Sequence, residues 1–96
     1  MSGQRHVLVC YDSADDYRRH RLSRALLDCG TRIQESVFEC LAEPALIEQM
    51  LERVRRLVVD CPDDRVCVVD LCANCERKVE VIGASPRASV PKSIVV

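Results

Sequence analysis

The stretch HVLVCYD, residues 6–12, decides the fold of this 96-residue chain. It is short, apolar and rich in β-branched residues, and it gives way abruptly to Ser13, a pattern typical of a buried strand that opens into a loop. Asp12 is therefore expected at the carboxyl end of the first strand. A chain of this length buries only about 60% of its unfolded surface, so a partner chain would strengthen its thin core.

A helix of about four turns is expected directly after this strand. Asp15 or Asp16 can cap its amino end, and Gly30 is predicted to end it. Its apolar positions follow the helical spacing i, i+3, i+4 and i+7 at Leu22, Ala25, Leu26 and Cys29.

Residues 31–34 and 37–41 have the composition of two short strands, and Glu35-Ser36 between them predicts a tight hairpin turn. Pro44 at a first helical position then opens a second helix. Its broad apolar face comprises Leu46, Ile47, Met50, Leu51, Val54, Leu57 and Val58.

The Val-rich residues 66–69 are apolar on both faces and predict a central strand. The element order is then β-α-β-β-α-β, which indicates an α+β, ferredoxin-like fold with both helices on one face of an antiparallel sheet. Residues 78–82 alternate as a fifth, half-exposed strand ending at Gly83. Because an extra strand needs a pairing partner, strand exchange in a homodimer is expected.

The sequence predicts one ferredoxin-like domain over residues 1–83 and a C-terminal arm over residues 84–96. The arm contains two prolines but ends in the apolar residues 93–96. It is a candidate strand for a partner's sheet, and a frayed terminus without function explains it equally well.

The formal charge of −1 argues against a protein that coats nucleic acid through overall positive charge. The distribution points the other way, because five arginines that suit phosphate oxygens fall within fifteen positions of the sequence. They are Arg18, Arg19, Arg21, Arg24 and Arg32. A solvated helix face is the competing explanation. With only three aromatic residues, a stacking platform for single strands is not expected.

The seven cysteines, without a signal-type leader or a long apolar run, predict a cytoplasmic protein with reduced thiols and no membrane contact. Cys72-x-x-Cys75, with Cys61 and Cys67, has some of the character of a zinc site. Cys67 lies inside a predicted strand, however, so a tight turn between two strands is favoured for the motif. A thioredoxin-type role is disfavoured, because such motifs open a helix after a strand, whereas this one is expected to precede a strand.

Five segments in order resemble the CRISPR-associated Cas2 family, and the resemblance covers residues 6 to 83. The segments are the strand ending in Tyr11-Asp12, Asp15-Asp16 with the arginines after it, and residues 30–40, 71–75 and 79–83. The resemblance implies a homodimer that acts with the CRISPR integrase, Cas1, to acquire new spacers. It also implies a Mg²⁺- or Mn²⁺-dependent endonuclease that cuts RNA or double-stranded DNA.

Matched position by position, the resemblance implies that Asp12 binds the metal, with a second Asp12 across the dimer axis. It assigns catalytic or cleft-lining roles to Tyr11, Asp12, Ser36 and Phe38. It assigns nucleic-acid binding to Arg18, Arg19, Arg21 and Arg32. Without it, Asp12 would be read as an ordinary turn-forming residue.

Two further functions remain open. A non-catalytic dimeric adaptor would need only sequence-independent phosphate contacts and would keep its partners without Asp12. A small regulatory domain of this fold would instead bind a metabolite at its dimer interface, and ligand-dependent stabilisation without nucleic-acid affinity would identify it.

Overall fold

The computed structural model describes residues 3–80 together with residues 82 and 83, and it confirms the β-α-β-β-α-β order. The elements are β1 (Arg5–Asp12), α1 (Asp16–Leu27), β2 (Gly30–Gln34), β3 (Val37–Ala42), α2 (Pro44–Val58), β4 (Arg65–Asp70) and a short helix α3 (Ala73–Glu76). The arm predicted over residues 84–96 lies outside the described residues.

The four strands form one antiparallel sheet in the order β2-β3-β1-β4. This is the ferredoxin-like arrangement, and both long helices pack on the same face of the sheet. We call the opposite side the open face. Side chains alternate along β1, so Val7, Val9 and Tyr11 enter the core while Leu8 and Cys10 lie on the open face.

The first helix begins as expected and ends earlier than expected. The Asp15 side chain caps it by accepting a hydrogen bond of 2.8 Å from the Arg18 backbone N–H. Gly30 does not end the helix, because it is already the first residue of β2. A Cβ atom there would lie 2.7 Å from Cys40 Sγ and from the Leu26 carbonyl oxygen, so the close approach of α1 to the sheet requires glycine.

The second helix begins at Pro44, as predicted, and places one face in the core. Ile47, Met50, Leu51 and Val54 are buried against the sheet, while Leu46 remains 46% exposed. The hairpin turn at residues 35–36 also forms as predicted, with a bulge in β2 between Arg32 and Gln34.

The prediction of a central strand at residues 66–69 is wrong. Strand β4 lies at the edge of the sheet, and Val68 and Val69 are 41% and 47% exposed. A run that is apolar on both faces is typical of a strand in the middle of a sheet. In the single chain it is an edge strand with an uncovered apolar surface.

One prediction for the segment after β4 also differs from the structure, and another depends on a partner chain. The Cys72-x-x-Cys75 motif opens the helical turn α3 rather than a tight turn between two strands. Among residues 78–83, those that the structure describes form no strand within the single chain, because a strand needs a hydrogen-bonding neighbour. No helix among the described residues is long and apolar enough to cross a membrane.

Candidate active site and nucleic-acid surface

Asp12 ends strand β1 with an exposed side chain. Within the described residues, its carboxylate takes part in no hydrogen bond or ion pair, unlike several neighbouring acids. An exposed carboxylate with all its lone pairs available suits Mg²⁺, which prefers hard oxygen ligands and keeps several waters. The described residues contain no cluster of three or more acidic, histidine or cysteine side chains for a metal.

The loop after Asp12 is held by Asp64, from the turn before β4. The Asp64 carboxylate is 1% exposed and accepts a hydrogen bond of 2.5 Å from Arg18 Nε. Further hydrogen bonds come from the Ser13 hydroxyl and the Ala14 backbone N–H, and together these donors, Arg18 foremost, lower the pKa of Asp64. The structure therefore places Arg18 in a structural contact that fixes the loop, and its guanidinium is largely occupied.

Arg19 is also tied to this loop. It donates a hydrogen bond of 2.6 Å to the Ser13 carbonyl oxygen and forms an ion pair with Asp16. Its guanidinium is therefore bonded to the residue that directly follows Asp12, the candidate metal ligand. An arginine so placed could contact a phosphate group bound at that carboxylate.

Tyr11, Ser36, Phe38 and Arg32 are brought together at the end of the hairpin. The Tyr11 backbone N–H donates to the Ser36 carbonyl oxygen at 3.1 Å, and the Tyr11 and Phe38 rings stack with centroids 6.2 Å apart. Arg32 lies over the Phe38 ring at 4.9 Å and donates to the Glu35 carbonyl oxygen and the Ser23 hydroxyl. Phe38 is fully buried, so its ring supports Arg32 from below.

The candidate site is divided between the two faces of the sheet. Tyr11 and Phe38 point into the helix-covered core, whereas the alternation of β1 directs Asp12 to the other side. The structure therefore does not join all of the predicted site residues in one cleft within a single chain. Asp12 shares the open face with Leu8 and Cys10.

Arg65 is a candidate that the sequence analysis missed. It pairs with Asp12 in the antiparallel register of β1 and β4, so the two side chains leave the same face of the sheet as neighbours. It is exposed and has no ion pair among the described residues. Only the register reveals this proximity, because the two residues are far apart in sequence.

A second basic surface lies in a cleft between α1 and α2. Its polar lining is Tyr17, His20, Arg21, Arg24, Arg53 and Arg56. Arg21 donates to the Tyr17 hydroxyl at 3.0 Å, and Arg53 pairs with Asp28. Within the part of the chain that the structure describes, His20 and Arg24 have no hydrogen-bond or ion-pair partner. None of the described residues that line the cleft is a carboxylate, and Arg56 pairs with Glu52 beside it. The remaining arginines give the cleft a potential that favours anions.

His6 and Glu39 form a buried pair on the same side of the sheet as Leu8 and Cys10. His6 Nε2 lies 2.5 Å from a Glu39 carboxylate oxygen, and the two side chains are 7% and 0% exposed. The sequence analysis gave no sign of this pair, since both residues stand in short strands where polar residues usually face water. The pairing links β1 to β3 and has a structural role.

Residues 5–79 match the family model described as CRISPR associated protein Cas2. The chain belongs to the Cas2 family. The match covers β1 through α3, so it includes the exposed Asp12, the loop held by Asp64 and the basic cleft.

Three similar proteins illustrate the Cas2 relationship. The CRISPR-associated endoribonuclease Cas2 1 of Chloroflexus aurantiacus is 35% identical over 89 residues, which cover 93% of this chain and 96% of the relative. The CRISPR-associated endonuclease Cas2 2 of Thermus thermophilus is 38% identical, with 88% of each chain covered. A solved chain from a partial Cas6-RT-Cas1–Cas2 complex is 27% identical, with a TM-score of 0.68 over 96% of this chain and 99% of that chain.

Proposed function

We propose that this Cas2 protein acts with the integrase Cas1 in the acquisition of new CRISPR spacers and is a Mg²⁺-dependent endonuclease on RNA or double-stranded DNA. The observation that carries the proposal is the exposed carboxylate of Asp12, which has no partner among the described residues and stands at the end of β1, just before a loop held by the buried Asp64. The names of the relatives include both endoribonuclease and endonuclease, and one solved relative comes from a complex with Cas1. Seven free thiols are consistent with work in a reducing cytoplasm.

The active unit is a homodimer formed through the open face and the β4 edge. Val69 and Cys67 on β4 are exposed and continue the apolar surface that Leu8 and Cys10 begin on β1. Apolar surface of this kind is expected to be covered by a partner, and an unpaired strand edge offers it hydrogen-bonding groups. A twofold axis near the end of β1 would bring two Asp12 carboxylates together.

In this arrangement the two Asp12 side chains would hold Mg²⁺ or Mn²⁺. The bound ion supplies Lewis-acid activation of a phosphodiester and a more acidic water. Arg65, beside Asp12 in the register, and Arg19, at the loop, offer positive charge to the phosphate. Asp64 keeps the loop in place and leaves Asp12 free for the metal.

Nucleic acid is held by phosphate contacts outside the metal site. The cleft between α1 and α2 presents Arg21, Arg24, Arg53 and Arg56, and Arg32 sits on its aromatic support nearer the hairpin. None of these contacts requires a base sequence, because arginine forks recognise phosphate oxygens. Binding is therefore expected to be independent of sequence and to weaken as salt rises.

A non-catalytic adaptor is the second candidate function, and a specific observation favours it. The described residues of a single chain gather no cluster of three or more metal-binding side chains, so a dimer with widely separated Asp12 residues would bind DNA and Cas1 without cutting. The two functions can coexist in one molecule. They differ in whether Asp12 is needed.

The test is cleavage of labelled duplex DNA and single-stranded RNA by the purified protein, with Mg²⁺ or with EDTA. Asp12→Asn keeps the shape of the side chain and removes its charge, and Asp63→Asn does the same at an exposed position in the turn before β4. We expect metal-dependent cleavage by the wild type and Asp63→Asn, and none by Asp12→Asn. Equal cleavage by all three proteins would overturn the proposed nuclease activity. If these proteins still bound Cas1 and DNA, the non-catalytic adaptor would then be the supported function.

A further inference from the structure

Cys72 and Cys75 stand at the point where the chain leaves β4. Both side chains are exposed, and Cys72 is the amino-terminal cap of α3. The motif thus opens a helical turn directly after a strand. The sequence-based objection to a redox role, that the motif precedes a strand, does not hold in this structure.

The two cysteines are joined by a backbone hydrogen bond and are chemically unequal. The Cys75 backbone N–H donates to Cys72 Sγ at 3.4 Å, and the Cys75 thiol also hydrogen-bonds to Cys72. Donation from the Cys75 backbone, the Cys75 thiol and the Asn74 backbone lowers the pKa of Cys72. The Cys72 sulfur in turn raises the pKa of Cys75. Cys72 is therefore suited to attack a disulfide first, and Cys75 is suited to attack Cys72 in the second step.

The other cysteines lack this combination of exposure and activation. Burial raises the pKa of Cys40 to about 12, and burial also raises the pKa of Cys10 and Cys29. Cys67 is exposed, but within the described residues no hydrogen bond reaches its sulfur. The described residues also bring no third metal-binding side chain to Cys72 and Cys75, so a zinc site has no support within one chain.

We propose that Cys72 and Cys75 form a redox-active dithiol, which a low-molecular-weight disulfide converts reversibly into an intramolecular disulfide. Cys72 thiolate attacks one sulfur of the external disulfide and expels one thiolate, leaving a mixed disulfide on Cys72. The Cys75 thiol gives its proton to solvent, and its sulfur attacks the Cys72 sulfur and expels the second external thiolate. Counted from the fully reduced dithiol, whose Cys72 proton also goes to solvent, the pair loses two electrons and two protons, and the two expelled thiolates take up two protons to become thiols.

The location gives this reaction a structural consequence. Glu76 and Arg77 bond back to the carbonyl groups of Cys72 and Ala73, so the turn sets the direction of the chain after β4. A disulfide would lock the turn between the strand edge proposed for the dimer and residues 78–83. The chemistry itself requires neither a dimer nor nuclease activity, so its test is independent of the proposed function.

The test uses the full chain, equilibrated without oxygen at several ratios of reduced to oxidised glutathione. The samples are quenched with acid, alkylated and analysed by mass spectrometry. We expect a Cys72–Cys75 disulfide that rises with the oxidised fraction and reverses with dithiothreitol, while Cys40 stays reduced. Absence of this disulfide, a stable mixed disulfide only, or preferred linkage of Cys67 would each overturn the proposal.

Matched variants test whether Cys72 reacts fastest because it is activated or only because it is exposed. In brief alkylation at neutral pH, Cys72 is expected to react at least about tenfold faster than Cys75. Cys75→Ser should slow the alkylation of Cys72 and leave Cys72 as a stable mixed disulfide with glutathione. Cys67→Ser should change neither the alkylation rate nor the formation of the Cys72–Cys75 disulfide. Equal rates for Cys72, Cys75 and Cys67 would contradict an activated pair, and so would one equivalent of tightly bound zinc in the purified protein.

Discussion

Strands β1 and β4 have nearly the same composition and opposite surroundings. VLVCY in β1 and VCVV in β4 are both apolar and β-branched, and Val9 and Val68 are direct neighbours in the register. Val9 is fully buried, while Val68 is 41% exposed. A run of valines therefore predicts a strand, but its position in the sheet depends on what the rest of the chain places beside it.

The difference has a meaning for assembly. The Leu71 backbone N–H bonds to the His6 carbonyl oxygen, so alternate residues of β4 pair with β1 and Val68 directs its backbone N–H outward. An exposed apolar edge with outward donors is a surface that natural proteins pair or protect. In the homodimer, the difference in exposure between β1 and β4 is therefore expected to disappear.

The largest expected effect is on dimerisation. Val68→Pro removes the outward N–H from each copy while leaving the bonds from β4 to β1, which should weaken a twofold dimer by about 3 kcal/mol, or more than about a hundredfold in Kd. Analytical ultracentrifugation measures this change. Val68→Thr keeps the N–H and should dimerise nearly normally; equal Kd values for both variants would show that the β4 edge is not the interface.

A smaller effect is expected from placing one hydroxyl on each strand. Val9→Thr buries a hydroxyl without a partner and should lower the free energy of unfolding by about 2 kcal/mol. Val68→Thr should change it by less than about 0.5 kcal/mol at concentrations where the protein is monomeric. Urea denaturation measures both. A large cost at Val68 in the monomer would mean that the edge is already covered within one chain.

The smallest effect concerns the start of β4, where Asp64 anchors the strand to α1. Its folded pKa lies below the ordinary value of 3.8, so its contribution is complete above that value and is lost as pH falls through the folded pKa. Wild-type Tm should therefore decline more steeply than that of Asp64→Asn between about pH 4 and pH 2. The matched variant Asp63→Asn should show the same dependence of Tm on pH as the wild type. Identical dependence in all three proteins would contradict the role of Asp64 as the anchor of β4.

Local patterns predicted most of the elements correctly. The cap at Asp15, the start of α2 at Pro44 and the turn at residues 35–36 each depend on neighbouring residues, and each forms as expected. Asp12 was placed correctly at the end of β1 for the same reason. The helix end at Gly30 was misplaced because glycine there serves a close approach to Cys40, a contact between distant parts of the chain.

The candidate site was less predictable, because its contacts join separate elements. The contact of Arg18 with Asp64 and the pairing of Arg65 with Asp12 span about fifty residues each. No sequence spacing encodes such a pairing. The roles of Asp12, Tyr11, Ser36 and Phe38 stay predictions, since the structure gives their positions and the proposed experiments test their chemistry.

The sequence by itself determined the order of helices and strands, the capping of α1 and the family of the chain, because these depend on local periodicity and on short motifs. The tertiary structure alone decided that β4 is an edge and that Arg65 lies beside Asp12. Strand order and side-chain proximity arise from packing between distant segments. One-dimensional patterns carry no record of that packing.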